Sequence, residues 1–146
     1  MYKLKLLFVL VALSGSLYSF CQCSDCKTLS EALSDPAMVK KLKHNGPQSG
    51  LMLDSLPASI GLLQNVEILY LSDHNIKSIP KEIGSLKKLK ELSFAGCRLT
   101  SLPEEIFQLT NLKELILFSN LFSEAYAQEL KEKFKKRLPH TKVMMD

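Results

Sequence analysis

Apolar residues recur at a fixed interval through the middle of the chain, from Leu56 to Ser123. Three copies of one unit align there without gaps, and each opens with an aliphatic residue and a proline, at positions 56, 79 and 102. Six columns of matched positions are apolar in every copy: Ile60/Ile83/Ile106, Leu63/Leu86/Leu109, Val66/Leu89/Leu112, Leu69/Leu92/Leu115, Leu71/Phe94/Leu117 and Ile76/Leu99/Phe122. A fixed period of 23 residues with apolar matched columns predicts stacked structural repeats.

Within each unit, a short stretch alternates between apolar and other residues, as at Leu69-Tyr70-Leu71. Alternation with a period of two predicts a β-strand with one buried face. A single unit cannot bury its leucines alone, so successive strands are expected to pair in parallel and form a continuous core. The sequence therefore predicts an α/β fold. This fold is a short solenoid with a parallel sheet on its concave face and helical or irregular segments on its convex side.

The segment before the repeats has the features of a cap. Thr28 followed by Glu31 fits a capping box at a helix start. Val39 and Leu42 repeat the spacing of Val66 and Leu69, although a turn-rich insertion lengthens this unit by four residues. Terminal repeats are expected to be atypical because one side lacks a neighbour. We expect an N-terminal cap and degenerate repeat over residues 22–55, followed by three repeats over residues 56–122.

The last part of the chain, residues 123–146, predicts a C-terminal cap made of a helix and a strand. Ser123 is the expected N-cap of a helix from Glu124 to about Leu138. One stripe of this helix is apolar at helical spacing and would cover the last repeat; it comprises Tyr126, Ala127, Leu130, Phe134 and Leu138. Pro139 ends the helix, and residues 141–145 read as a final short strand.

The N-terminus has the three parts of a secretory signal peptide, predicted to occupy residues 1–21. Lys3 and Lys5 precede an apolar run at residues 6–13, and small residues follow. A membrane span needs about 20 apolar residues, so no transmembrane span is predicted. The expected mature chain begins at Gln22. It is expected to be exported, and its destination is the medium, the periplasm or the cell surface. A lipid anchor on Cys21 or Cys23 is an alternative, although lipoprotein signals favour a small residue just before the cysteine.

Charge and cysteine usage narrow the possible functions. Removal of the two signal-peptide lysines lowers the formal net charge from +4 to +2, which is too weak to indicate nucleic acid as a partner.

Cys23 and Cys26 form a C-x-x-C pair and predict a small disulfide in an exported chain. A redox dithiol is the alternative, but no thioredoxin-like unit surrounds the pair. Further metal ligands are scattered, so no metal or other cofactor is predicted.

Each repeat contains a stretch that fits L-x-x-L-x-L-x-x-N/C-x-L. The third repeat matches completely with Asn120, the second matches with Cys97 in the asparagine position, and the first departs from the pattern at His74. This pattern resembles the leucine-rich repeat family in its 23-residue LPxxIGxL subtype, and the leader resembles that of small secreted bacterial members. An asparagine in this turn can bond the backbone as donor and acceptor. His74 is therefore interpreted as an imperfect turn residue, with Asn75 expected to take over some of the bonding.

The resemblance implies a non-catalytic module that binds a protein through its concave strand face. The residues predicted to form this face are Ile68, Tyr70, Ser72, Glu91, Ser93, Glu114, Ile116 and Phe118, with Ala95 between them and Lys41 and Lys43 beside them. Large apolar side chains rimmed by charge mark candidate contact sites. Paired carboxylates such as Glu91 and Glu114 also occur in glycoside hydrolases, but an open, shallow sheet offers little of the cleft that this chemistry needs. Neither the identity of the partner nor the oligomeric state follows from the sequence.

Overall fold

The computed structural model describes residues 24–146. The predicted signal peptide, the lipidation alternative at Cys21 or Cys23, and one half of the predicted Cys23–Cys26 disulfide lie outside these residues. The strands are β1 (Asp25–Cys26), β2 (Lys41–Lys43), β3 (Ile68–Tyr70), β4 (Glu91–Ser93), β5 (Glu114–Ile116) and β6 (Lys142–Met144). The helices are α1 (Leu29–Ser34), α2 (Gly46–Ser49) and α3 (Glu124–Arg137). Three 3₁₀ turns span Ala58–Leu62, Lys81–Ser85 and Glu104–Gln108.

The six strands form one parallel sheet in chain order. Leu69 pairs with Leu92 and Leu92 pairs with Leu115, so the 23-residue spacing of the sequence is the register of the three central strands. This register places matched residues side by side, which keeps the apolar columns on one face. The predicted α/β solenoid is confirmed by this architecture.

The core lies between the sheet and the 3₁₀ turns. Five of the six predicted apolar columns are buried in all three repeats, including Leu69, Leu92 and Leu115, which are fully inaccessible to solvent. The exception is Phe122, which is only partly buried because no further repeat covers it. Its ring instead lies 5.7 Å from the ring of Tyr126 in α3.

The 3₁₀ turns stack on one another along the convex side, and glycine permits their close approach. A Cβ at Gly84 would lie 2.9 Å from the carbonyl oxygen of Glu105 in the next turn. In the third repeat Phe107 takes this glycine position because a helix, rather than another turn, lies beyond it. The Phe107 ring packs against Phe134 of α3, with ring centroids 4.8 Å apart.

The N-terminal residues cover one open end of the core. Thr28 caps α1, and Thr28 and Glu31 form the predicted capping box. Lys41 pairs with Ile68 in the sheet, so the degenerate repeat contributes a strand as predicted. Two elements were not predicted: β1, which extends the sheet by one strand, and the short helix α2 within the turn-rich insertion.

The C-terminal residues cover the other end. The side chain of Ser123 accepts a hydrogen bond from the Tyr126 N–H, which confirms the predicted N-cap of α3. Leu130, Phe134 and Leu138 are buried against the last repeat. Polar contacts hold the outer side of α3, since Glu104 accepts hydrogen bonds from Lys133 and Arg137. The predicted final strand is present as β6.

Candidate concave binding face

The candidate binding face consists of side chains on the side of the sheet opposite the core. Strand register arranges them in rows across the sheet. The first row is Asp25, Lys41, Ile68, Glu91, Glu114 and Lys142. The second row is Lys43, Tyr70, Ser93, Ile116 and Met144. All eight residues predicted for this face lie in these rows or in the third row described next.

The third row, Ser72, Ala95 and Phe118, lies just beyond the strand ends. Backbone hydrogen bonds continue the ladder there: the Asp73 N–H donates to the Ala95 carbonyl at 2.8 Å, and the Gly96 N–H donates to the Phe118 carbonyl at 2.9 Å. Phe118 is 40% exposed. It lies two residues after Ile116 on the same chain segment, so the two side chains point to the same side of the sheet.

A small polar network crosses the middle of the face. The Tyr70 phenol donates a hydrogen bond to Glu91, and the Lys43 ammonium lies 5.4 Å from the centre of the Tyr70 ring. The hydrogen bond to Glu91, assisted by burial, raises the pKa of Tyr70 to about 12. The phenol therefore stays protonated at neutral pH and orients the Glu91 carboxylate.

Two serines form the low part of the face. The hydroxyls of Ser72 and Ser93 share a hydrogen bond of 2.9 Å. Ser93 is only 4% exposed, so it forms a floor and offers a partner few atoms. The larger side chains around it provide most of the accessible surface.

Strand β6 adds residues that sequence reasoning did not place on the face. Lys142 stands opposite Glu114 in the register, and its ammonium lies 3.6 Å from the Glu114 carboxylate. Met144 stands opposite Ile116 and extends the apolar surface. The final strand was predicted, but its alignment with β5 was not, because the α3 insertion interrupts the 23-residue period.

The turns after the strands carry a ladder of side chains that bond the backbone. The Asn120 amide accepts a hydrogen bond from the Leu99 N–H at 3.0 Å and donates to the carbonyls of Phe94 and Leu117 at 2.8 and 2.9 Å. In the preceding repeat the Cys97 thiol donates to a backbone carbonyl at 3.3 Å. Burial raises the pKa of the Cys97 thiol, so it remains a protonated donor.

His74 fills the same position in the first repeat and bonds as Asn120 does. Its Nδ1 accepts from the Leu53 N–H at 3.2 Å, so its Nε2 carries the proton and donates to the His44 carbonyl at 2.8 Å. The expectation that Asn75 would take over this bonding is wrong. The Asn75 amide donates instead to Asp54 on the surface. An imidazole with one donor and one acceptor can replace the asparagine amide.

A second histidine, His44, is fully buried beside His74, with ring centroids 4.9 Å apart. Its Nδ1 accepts a hydrogen bond from the Leu29 N–H at 3.2 Å. Within the part of the chain that the structure describes, its Nε2 has no hydrogen-bond partner. Burial, and then the nearby His74, lower the pKa of His44. Sequence reasoning missed this contact because the two rings are 30 residues apart.

The described residues also bear on metal binding, on the C-x-x-C pair and on membrane insertion. Among residues 24–146, no group of three or more His, Cys, Asp and Glu residues is placed to hold a metal ion. Cys26 is buried in β1, with 1% of its surface exposed. The helices of these residues include none with the length and apolar character needed to cross a bilayer.

Comparison with solved structures gives several matches to this fold. A leucine-rich repeat protein of Leptospira interrogans is similar with 36% identity and a TM-score of 0.66, over 81% of this chain and 28% of that protein. The leucine-rich repeat ectodomain of the receptor kinase SOBIR1 from Arabidopsis thaliana has 20% identity and a TM-score of 0.52, over 77% of this chain and 60% of that ectodomain. An internalin, InlF, from Listeria monocytogenes has 18% identity and a TM-score of 0.57, over 84% of this chain and 32% of that internalin.

The chain therefore spans less than two thirds of each of these structures. The two with lower identity show the fold alone. A search of curated proteins found no match. A family model described as a leucine-rich repeat region matches residues 37–137, which is more than half of the chain. With the Leptospira similarity and the repeat geometry, this match shows that the protein belongs to the leucine-rich repeat family.

Proposed function

We propose that the protein is an exported, non-catalytic module that binds a protein partner through its concave face. The observation that carries this proposal is the apolar surface formed by Phe118, which is exposed, with Tyr70, Ile116 and Met144, which are partly buried. Aromatic residues and methionine are enriched at protein interfaces. The leucine-rich repeat fold supports an interaction role, and members of this family are typically not enzymes.

Export is proposed from the sequence of the first 21 residues, with their basic start and apolar run. The test is mass spectrometry of the mature protein recovered from its native host. We expect an unmodified chain beginning at Gln22, with cyclised glutamine as an allowed form. An acyl mass on Cys21 or Cys23 would contradict the proposal and identify a lipid-anchored surface protein.

Partner binding is tested by affinity capture from the host's extracellular or periplasmic fraction. The mature protein is compared with a Tyr70→Ala/Phe118→Ala variant whose folding is confirmed by circular dichroism. A matched control removes an exposed apolar side chain from the convex side, Leu62→Ala, since Leu62 is 56% exposed. We expect a protein retained by the wild type and by the Leu62 variant but lost by the double variant. Equal capture by all three would refute the concave-face proposal.

A further inference from the structure

The centre of the concave face is lower than its two sides. Strand β4 presents Ser93, followed by Ala95, and both are small, while β3 presents Tyr70 and β5 presents Ile116, followed by Phe118. Because neighbouring strands lie about 4.8 Å apart, the backbones of β3 and β5 lie about 10 Å apart, and their larger side chains flank the small ones between them. We call this depression the β4 trough. It is wide enough for one long side chain lying along β4.

A carboxylate lies at each end of the β4 trough. Glu91 precedes Ser93 on the same strand, is half-buried, and accepts the Tyr70 hydrogen bond. Asp73 lies beside Gly96, the residue after Ala95, where its carboxylate occupies the space that a Cβ on Gly96 would need. The backbone holds Asp73 there with a φ of 60° and a hydrogen bond from its N–H to the Ala95 carbonyl.

Neither carboxylate has a basic partner in the described residues. The salt bridges within residues 24–146 use other acidic side chains, among them Glu67, Glu104 and Glu114. The basic residues of the face stand at its sides: Lys43 lies over the far side of the Tyr70 ring, and Lys142 faces Glu114. The centre of the face is therefore acidic at Glu91, whereas its sides carry both signs, since Asp25 stands opposite Lys41 in the register.

These features select a particular kind of side chain. A cation at either end is attracted by the carboxylate there, whereas an aliphatic stem suits the apolar sides of the trough; lysine and arginine combine both properties. An aromatic ring beside the trough, Phe118 or Tyr70, adds a surface for cation–π contact. An acidic side chain would meet Glu91 and be repelled.

We infer that the β4 trough receives one basic side chain, arginine or lysine, projected from the surface of the protein partner. This inference rests on the proposed function and adds the chemistry of the contact. It also predicts acidic or neutral residues around that anchor, opposite Lys43 and Lys142. The charge pattern excludes a partner whose central contact is acidic.

The experiment uses random 12-residue peptides displayed on phage and selected on the immobilised mature protein. Selection runs in parallel on the Tyr70→Ala/Phe118→Ala variant and on resin without protein. Enriched peptides are then synthesised with their basic residue intact or replaced by a neutral isostere, citrulline for arginine or norleucine for lysine. Binding of each pair is measured on the wild type, on Glu91→Gln, and on Glu132→Gln. The last variant removes one charge from the exposed side of α3, away from the face.

We expect the peptides enriched on the wild type to share one basic position. Its neutral replacement should weaken binding about tenfold on the wild type and on Glu132→Gln, but less than threefold on Glu91→Gln, because the charge partner is already absent there. Two outcomes would overturn this inference and leave the proposed function standing. In the first, the enriched peptides need Tyr70 and Phe118 but share no basic residue; in the second, the neutral replacement weakens binding equally on the wild type and on Glu91→Gln. Equal binding of the peptides to the Tyr70→Ala/Phe118→Ala variant, or enrichment no greater than on bare resin, would overturn both this inference and the proposed function.

Discussion

The turn ladder predicts a large and specific stability loss when Asn120 is replaced by alanine. The substitution removes the amide oxygen, which accepts from the Leu99 N–H, and the amide nitrogen, which donates to the carbonyls of Phe94 and Leu117 and, at 3.4 Å, to that of Phe118. Leu99, Phe94 and Leu117 are buried, whereas Phe118 is exposed. Three backbone groups of buried residues therefore lose their bonds to the amide.

The magnitude follows from the number of bonds. A hydrogen bond contributes about 1 kcal/mol net, and a buried group left without a partner costs about 1–3 kcal/mol. Since Asn120 is only partly buried, water reaches the site and the lower figure applies. We expect a loss of about 3 kcal/mol in the free energy of unfolding. For a domain of this size, the corresponding fall in Tm is about 12 °C.

Asn111→Ala is the matched control, because it makes the same chemical change on the exposed surface. The Asn111 amide donates one hydrogen bond, to the Lys87 carbonyl at 2.7 Å. We expect its loss to stay below about 1 kcal/mol. Free energies of unfolding are measured by urea titration followed by circular dichroism. The variants are compared only if the free energy of unfolding depends on urea concentration with the same slope in each. A loss under 1 kcal/mol for Asn120→Ala, or equal losses for both variants, would refute the ladder as a major source of stability.

Three further predictions concern single side chains. Cys97→Asn should raise the free energy of unfolding by about 1 kcal/mol, because an amide can add the acceptor that Asn120 supplies one repeat later. A lower Tm than that of the wild type would contradict this. Burial lowers the pKa of His44 below its ordinary value of about 6.5. The unfolded chain thus binds a proton more readily, and stability should fall as pH drops from 6.5 toward the folded pKa. Urea titrations at several pH values measure this dependence. Over the same pH range the free energy of unfolding should fall less in His44→Leu than in the wild type, and an equal fall in both proteins would exclude His44 as its cause. The pKa of Tyr70, about 12 in the wild type, should fall toward 10 in Glu91→Gln, as measured by tyrosine-selective NMR; no change would remove Glu91 as its cause.

The stacked repeats were predictable because their signal is local and repeated three times. The spacing of Leu69, Leu92 and Leu115 gives both the strand positions and the register, and the structure confirms both. The candidate face followed from the same alternation, because residues between core leucines must point away from the core. The capping signals at Thr28 and Ser123 were also local and were confirmed.

The features that were missed depend on contacts between parts of the chain that do not repeat. The four-residue insertion before the first full repeat breaks the 23-residue spacing. Neither α2 nor the burial of His44 could therefore be predicted from that spacing. The α3 helix interrupts the period, so the partners of Lys142 and Met144 in β5 could not be read from spacing. The role of His74 was underestimated because its two hydrogen-bond partners lie 21 and 30 residues away.

The sequence by itself determined a leucine-rich repeat solenoid, its register and the residues of its concave face. A 23-residue period places the matched apolar columns on one face of the stacked repeats, so local pattern and global fold agree. Only the tertiary structure decided how the two ends are covered, which ring nitrogens bond the backbone, and which carboxylates of the face have basic partners. These outcomes depend on distances between side chains that meet once, and no periodic signal in the sequence encodes them.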